Sequence, residues 1–260
     1  MKTKVIVAIP AYNCAKQIPR VLNGFNDKLL DRVSEVIVIN NKSTDDTAKS
    51  ALVASGKLKT NKIKVCTNIE NVSLGGSHKV AFFYGKSVGA THVAILHGDD
   101  QAETQELNNL LDLVEADPKL DAVLGARFMK GSKLKGYSWQ RIAGNRVLNN
   151  LYALVMFRKT KDLGSGLNIF KLSALNEEEF INFGDDLGFN FDLLLYLLKN
   201  KKNIQFTPIA WKEEDQVSNA RNVKVAKLAV KRLFKWRFGI PPKNSIKRDK
   251  SVYTFNVEKL

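Results

Sequence analysis

Three polar clusters hold the groups through which this chain could do chemistry: residues 10–14 (PAYNC), 40–46 (NNKSTDD) and 97–101 (HGDDQ). Each follows a short apolar, β-branched run, so its carboxylates, amides and imidazole stand at the end of an element that can be buried. A fourth stretch, residues 71–79 (NVSLGGSHK), contains Gly75 and Gly76, which let backbone approach a ligand. A helix starting near Ser77 would offer free N–H groups to phosphate. Charge points the same way. The formal net charge is +15; residues 131–260 hold 24 Lys and Arg against 12 Asp and Glu, and residues 222–260 hold 11 against 2. Such a concentration suits an anionic partner: a membrane surface, a nucleic acid or a phosphorylated substrate. The chain lacks the aromatic interleaving and any recognised module of nucleic-acid binders, so no nucleic-acid partner is expected. Cys14 and Cys66 are too few for a disulfide framework, lack the clustered spacing of a zinc site, and are read as reduced thiols.

The elements that must position these clusters alternate. Residues 4–9, 35–39, 63–66, 92–96 and 121–124 are continuously apolar, as buried strands of a parallel sheet are. Between them, residues 17–30, 44–54, 77–88 and 103–115 have helical patterning, with Ser43 or Thr44 and Thr104 as N-caps. This alternation predicts a doubly wound α/β sheet, whose ligands bind beyond the carboxyl ends of the strands, where the three clusters fall. In the second half, residues 131–136 read as a loop, 141–157 as a helix, 166–170 as a strand, 192–198 as a helix, 203–207 as a strand and 211–222 as a polar loop. No apolar run approaches the roughly 18–20 residues needed to span a bilayer. The start, MKTKVIVAIPAYN, reads as the first strand of a cytoplasmic protein rather than a signal peptide.

The succession IPAYN (9–13), VIVINNKSTDDT (36–47), ILHGDDQ (95–101), GAR (125–127) and DLGSGLNIF (162–170) resembles glycosyltransferase family 2, whose members are inverting, nucleotide-sugar-dependent enzymes of the A-type glycosyltransferase fold. Residues 4–212 look most like the branch of dolichol-phosphate mannose synthase and bacterial polyprenyl-phosphate glycosyltransferases. The resemblance implies a mainly parallel sheet flanked by helices, with a catalytic domain at 1–212, an acceptor-side loop at 213–222 and a basic amphipathic helix and tail at 223–260. It also implies a divalent cation, Mn2+ or Mg2+, that assists departure of a nucleoside diphosphate. Its Asp-x-Asp-x-Gln motif falls on His97, Asp99 and Gln101, with Asp100 as an extra carboxylate. Imidazole in place of the first Asp favours manganese over magnesium. The competing reading makes His97 a packed residue beside a single metal-binding Asp99.

Other roles follow from the same resemblance. Pro10, Tyr12, Asn13, Asn40 and Asn41 would hold the nucleoside of a UDP- or GDP-sugar. Asn40 both donates and accepts where relatives have Asp, so both bases stay open. Asp45 matches a donor-side position, or else caps the next helix; Gly76 and Lys79 lie in the loop that runs beneath the donor. Arg127 and Arg141 would hold an acceptor phosphate, and Asp162, Ser165 and Gly166 would line the sugar and acceptor pocket. A lipid-phosphate acceptor is already anionic, whereas a glycan hydroxyl needs a base, from Asp162 or near Asp185 and Asp186. Relatives have a basic, Gly- and Ser-rich acceptor loop; here it reads WKEEDQVSNAR, with Glu213, Glu214 and Asp215 in a row. Residues 222–238 resemble an interfacial helix on an anionic membrane, with Trp236 or Phe238 at the boundary. The expectation is an inverting glycosyltransferase, cytoplasmic and peripheral on the inner face of the cell membrane, that acts on a polyprenyl phosphate. Glycan extension and a catalytically silent scaffold are the alternatives.

Overall fold

The computed structural model describes residues 3–215, 222–240 and 248–259. Its strands are β1 Val5–Ala11, β2 Glu35–Asn40, β3 Ile63–Asn68, β4 His92–Leu96, β5 Ala122–Ala126, β6 Lys133–Lys135, β7 Leu167–Lys171, β8 Ile204–Pro208, β9 Ala210–Lys212 and β10 Phe255–Val257. Eight form one sheet in the order β10-β3-β2-β1-β4-β7-β5-β8, while β6 and β9 pair as a parallel ribbon. β1 to β4 are parallel, as are β5 and β8; β7 and β10 run against their neighbours. Alternate residues serve opposite cores: Ile6, Ala8, Ile37, Ile39, Val93 and Ile95 pack on one face, Val7, Ile9, Val36, Val38, Ala94 and Leu96 on the other. Both faces are covered, which is why these strands are apolar throughout.

The helices are α1 Ile18–Asn23, α2 Asp27–Arg32, α3 Thr47–Gly56, α4 Ser73–Ser87, α5 Leu107–Ala116, α6 Trp139–Met156, α7 Glu177–Phe180, α8 Gly188–Lys199 and α9 Asn222–Arg237. The single helix expected over residues 17–30 is split, because the Asn26 side chain accepts from the Leu29 N–H and caps a new helix. Residues 131–136 contain β6, because Leu134 pairs with Trp211 of β9. The helix expected from Ser77 begins four residues earlier, which has consequences for the site.

The C-terminal segments complete the same core. Ala229, Leu233 and Trp236 of α9 are buried against the sheet-covering layer that also contains Tyr152 of α6 and Leu195 of α8. Trp236 donates through Nε1 to Asp192 at 2.9 Å, and Arg232 ion-pairs with the same fully buried carboxylate at 3.0 Å. Trp236 is therefore a core residue and not a membrane-boundary one; Phe238 is exposed. β10 extends the main sheet. Residues 216–221 of the expected acceptor loop, and Pro241 and Pro242 in the tail, lie outside the described residues. Among the described residues no helix is long and apolar enough to cross a membrane.

Candidate active site

The carboxyl ends of β1, β4 and β5 open into a cavity of about 1060 Å3. Pro10, Tyr12 and Asn13 line it at the end of β1, His97, Asp99 and Gln101 after β4, and Arg127 after β5. The turn after β1 is tied to the turn after β2: Asn13 donates its N–H to Ser43 Oγ at 3.0 Å and accepts from the Thr44 N–H at 2.9 Å. Cys14 also faces the cavity, but burial, then Asp99, pushes its thiol up to about 12, so it stays protonated. Cys66 is a buried free thiol as well.

The segment after β4 divides its side chains between cavity and scaffold. The His97 ring packs against Gly166, where a Cβ would lie 2.6 Å from its Cγ, and its centroid is 5.5 Å from that of His78. Burial, reinforced by Arg127, lowers the imidazole pKa to about 4, so it is neutral, and its buried Nε2 has no hydrogen-bond partner among the described residues. His78 is buried in α4, and burial lowers its pKa to about 3. Burial raises Asp99 to about 6 while the Gln101 N–H donates to its Oδ1 at 3.3 Å. Asp100 turns the other way. Its φ is +58°, and its carboxylate accepts from Arg20 Nε at 2.6 Å and pairs with Lys212 Nζ at 3.0 Å, outside the cavity lining. Among the described residues no three His, Cys, Asp or Glu side chains are gathered for a metal. The set His97, Asp99 and Gln101 nevertheless fits a cation that brings oxygen ligands with it, since an unprotonated, unpartnered imidazole nitrogen and a carboxylate share one wall.

Arginines form the opposite wall. Arg127 makes a fork with Asp162, Nε to Oδ2 and Nη2 to Oδ1 both at 2.8 Å, while its own N–H also reaches Oδ2 at 2.8 Å. The Gly164 N–H takes Oδ1 at 3.1 Å, so every bond accepted by Asp162 holds Arg127 or its loop in place. The guanidinium lies 5.1 Å from the Phe128 ring and 5.0 Å from that of Trp211. Asp162 sits behind Arg127, off the cavity lining, which corrects its expected role as a base. Arg141 is presented by the first turn of α6, where the Ser138 hydroxyl accepts its N–H; its guanidinium stacks 4.2 Å from the Tyr137 ring and ion-pairs with Glu213. One, and then two, turns further on, Gly144, Asn145 and Leu148 line the same cavity, at the spacings that share a helix face. Leu163, Phe191, Val225 and Ala229 complete this apolar wall. Sequence reasoning passed over Tyr137 and Gly144; their only signal was position, one beside a basic loop and the other three residues after Arg141.

The structure does not bring Asn40, Asn41, Asp45, Gly76 or Lys79 to the cavity lining. Asn40 donates to Thr67 and accepts from the Ser43 N–H. Asn41 donates to Asn71 and accepts from Asn68 and the Val72 N–H, so both buried amides are engaged within the scaffold. Asp45 accepts from the Thr47 N–H, two residues on at the start of α3, and from the Ala15 N–H; the N-cap position itself is Asp46, whose side chain makes no capping bond. The Gly75 and Gly76 N–H groups are directed at the Asp185 carbonyl, at 2.6 and 3.3 Å. A Cβ on Gly75 would meet Phe189 Cβ at 2.5 Å: the glycine serves close packing, not a phosphate. Lys79 is fully buried, with its ammonium donating to the Ile181 and Phe183 carbonyls and the Asp185 carboxylate at 2.7–2.9 Å.

Comparison with known proteins bears on this geometry. The model of the family described as Glycosyl transferase family 2 matches residues 6–178. The chain is 21% identical over 215 residues to polyprenol monophosphomannose synthase of Mycolicibacterium smegmatis, covering 82% of this chain and 78% of that protein. It is 23% identical over 200 residues to dolichol-phosphate mannosyltransferase of Pyrococcus furiosus, covering 76% of this chain but only 53% of that one, about half its length. Among solved structures, glucosyl-3-phosphoglycerate synthase of Mycobacterium tuberculosis in complex with UDP is similar at a TM-score of 0.66 and 16% identity, over 98% of this chain and 87% of that one. The same enzyme with Mn2+, UDP and glucosyl-3-phosphoglycerate gives 0.63 at 16% identity, over 92% and 81%. At that identity the likeness establishes a shared fold.

Proposed function

The chain belongs to glycosyl transferase family 2 and has the A-type glycosyltransferase fold, and from that premise we propose that it transfers a sugar, with inversion, from a nucleotide-sugar to a polyprenyl phosphate. The observation that carries the acceptor is the wall that starts at Arg141 and continues along α6 as Gly144 and Leu148, faced by Phe191, Val225 and Ala229. An anion seated at Arg141 has an apolar path leading away from it, which suits a phosphate with a hydrocarbon tail. A small phosphorylated acid would have no use for that path.

A lipid phosphate oxygen is already a nucleophile, so the protein's task is to hold two anionic groups together rather than to remove a proton. Permanently charged, forked guanidiniums do this well. Arg127, locked by Asp162 between two rings, is a fixed positive wall; Arg141 is the nearer contact for the incoming phosphate. Pro10, Tyr12 and Asn13 suit the nucleoside of UDP or GDP, and because Asn40 and Asn41 are engaged elsewhere, base choice falls to the turn after β1. When bound, a divalent cation, Mn2+ or Mg2+, neutralises charge on the departing diphosphate. Asp99 would hold it, with His97 and Gln101 beside. Glycan extension needs a base; of the candidates, Asp162 pairs with Arg127 and Asp185 with Lys79, which supports the acceptor that needs none, and Asp186 accepts from the Gly188 N–H.

Exposed Val223, Phe234, Phe238 and Ile240 with exposed Lys224, Lys227 and Lys231 on and after α9 support peripheral attachment to the anionic inner face of a membrane. Sedimentation with vesicles tests this: binding to anionic but not zwitterionic lipid is expected, and equal recovery from both counts against it. For the site itself, thermal-shift titration with UDP and GDP, with and without Mn2+, on wild type and Asp99→Ala is the test. A metal-dependent shift with one nucleotide, absent in the variant, is expected. No shift with either moves the protein to the silent-scaffold reading. Transfer to 3-phosphoglycerate but not to a prenyl phosphate overturns the acceptor.

A further inference from the structure

The two cavity arginines are each matched to a carboxylate, but the two pairs are built differently. Arg127 and Asp162 are 15% and 2% exposed, with the carboxylate behind the guanidinium and off the cavity lining. Arg141 and Glu213 are 24% and 17% exposed, and both line the cavity. The first pair is part of the wall. The second stands where solvent and ligand reach it.

The fold takes care to place Glu213. Its N–H donates to the Lys135 carbonyl at 3.0 Å, continuing the ribbon of β6 and β9. Gly136, at φ +82°, passes so close that a Cβ there would lie 2.3 Å from the Glu213 carbonyl oxygen, so only glycine admits this approach. The next two residues, Glu214 and Asp215, pair with Lys135 and Arg20 on the C-terminal side of Glu213. Arg141 is held by its own helix and by stacking on the Tyr137 ring, and Tyr137 in turn is hydrogen-bonded to Glu213, so the one carboxylate touches both side chains.

We propose that Glu213 is a placeholder for the acceptor phosphate and sets the selectivity of the acceptor site: its carboxylate occupies Arg141 until a more highly charged anion displaces it. A carboxylate brings one negative charge. A phosphomonoester brings about 1.5 to 2 at neutral pH and three acceptor oxygens, so it competes where a carboxylate or a phosphodiester does not. The acidic run that departs from the basic loop of relatives thereby becomes a filter. This inference rests on the reading that Arg141 faces the acceptor, and goes beyond it by giving Glu213 a positioning role that no motif assigned.

The test uses inorganic phosphate and acetate as probes, titrated calorimetrically into wild type, Glu213→Gln, Glu214→Gln, Arg141→Gln and the Arg141→Gln/Glu213→Gln double variant, all with checked cooperative unfolding. Glu213→Gln should bind phosphate roughly 2- to 5-fold more tightly than wild type, the scale of releasing one partly exposed ion pair. It should also gain acetate binding. Glu214→Gln should match wild type, and the gain should vanish in the double variant. An unchanged Glu213→Gln, an equal gain in Glu214→Gln, a gain that survives loss of Arg141, or no phosphate binding in any variant overturns the proposal. In transfer assays the variant should lower KM for prenyl phosphate more than it changes kcat. If the phosphate results hold and no prenyl phosphate is glycosylated, the lipid acceptor falls while the role of Glu213 stands.

Discussion

Replacing Asp162 by Asn separates a structural carboxylate from a catalytic one. The carboxylate is 2% exposed and accepts from Arg127 N, Nε and Nη2 and from the Gly164 N–H. Asn keeps the shape but removes the charge and turns an N–H2 group toward donors, leaving a buried guanidinium without its counter-ion. Breaking such a pair from one side costs about 3–5 kcal/mol. The same change at Glu213, whose pair is open to solvent, should cost about 0–1 kcal/mol. Urea unfolding followed by tryptophan fluorescence at pH 7 reads the difference. With a slope of about 2–3 kcal/mol per molar, Asp162→Asn should move the midpoint down by about 1–2 M, with Glu213→Gln nearly unmoved. Transfer activity should fall with Asp162→Asn as well, since Arg127 loses its fixed orientation. A variant that unfolds like wild type yet has lost activity would refute the reasoning, since that is the behaviour of a solvent-facing base, and it would restore glycan extension.

Burial sets His78 to about 3 and His92 to about 4, below the ordinary 6.5, so both stay neutral while the unfolded chain takes up protons. Stability from these groups is therefore level above about pH 7 and falls as pH drops from about 6.5 toward 4, by about 4 kcal/mol for the two together at pH 5. His97, also lowered to about 4, adds a similar share, so urea midpoints at pH 7 and 5 check this, His92→Gln should remove about 2 kcal/mol, roughly a third of the histidine drop, and a drop unchanged in that variant refutes its source. A Cβ added to Gly144 would meet no atom within 4 Å, and the residue faces the cavity. Gly144→Ala should therefore stabilise α6 by about 0.5–1 kcal/mol. Gly144→Trp should raise KM for a long prenyl phosphate while leaving the UDP or GDP thermal shift intact; loss of both would place the nucleotide, not the lipid, along α6. Trp236→Phe leaves Asp192 Oδ1 without its indole donor and should cost about 1–3 kcal/mol in urea unfolding, whereas a detached interfacial helix would lose nothing.

The parallel half of the sheet was legible because a strand covered on both faces has to be apolar at every position, and β4 matches its expected bounds at His92 and Leu96. The strand-end clusters were legible for the same reason: parallel strands deliver their ends to one edge, and Tyr12, Asp99 and Arg127 meet there. Misreadings arose where a local pattern has two physical meanings. Gly-Gly-Ser followed by Lys suits a phosphate turn, but Asp185, more than 100 residues away, takes both the glycine N–H groups and the Lys79 ammonium. Tyr253 closes the same cluster from the C-terminal segment. A basic amphipathic helix can lie on lipid or on its own domain, and Asp192 with its hold on Arg232 and Trp236 decides for the domain along one face of α9. Asn40 and Asn41 were placed correctly at a strand end, but Thr67, Asn68 and Asn71 on the neighbouring strand and turn claim their amides.

The division between donor and acceptor follows the chain. The family match ends at residue 178, after the elements that supply Tyr12, Asp99, Arg127 and Arg141. Phe191, Trp211, Glu213, Val225 and Ala229, which give the cavity its far wall, all come later, from α8, β9 and its extension, and α9. The segment that matches the family thus carries the turn after β1, Asp99 and both arginines. If those arginines receive the acceptor, as proposed, residues beyond the matched segment decide which acceptor it is. In this chain those residues are apolar where they face Leu148 and acidic where they face Arg141. On the proposed reading the apolar wall would retain a hydrocarbon tail and the acidic residue on Arg141 would exclude weakly charged anions; together they would select a lipid with a terminal phosphomonoester more narrowly than either would alone.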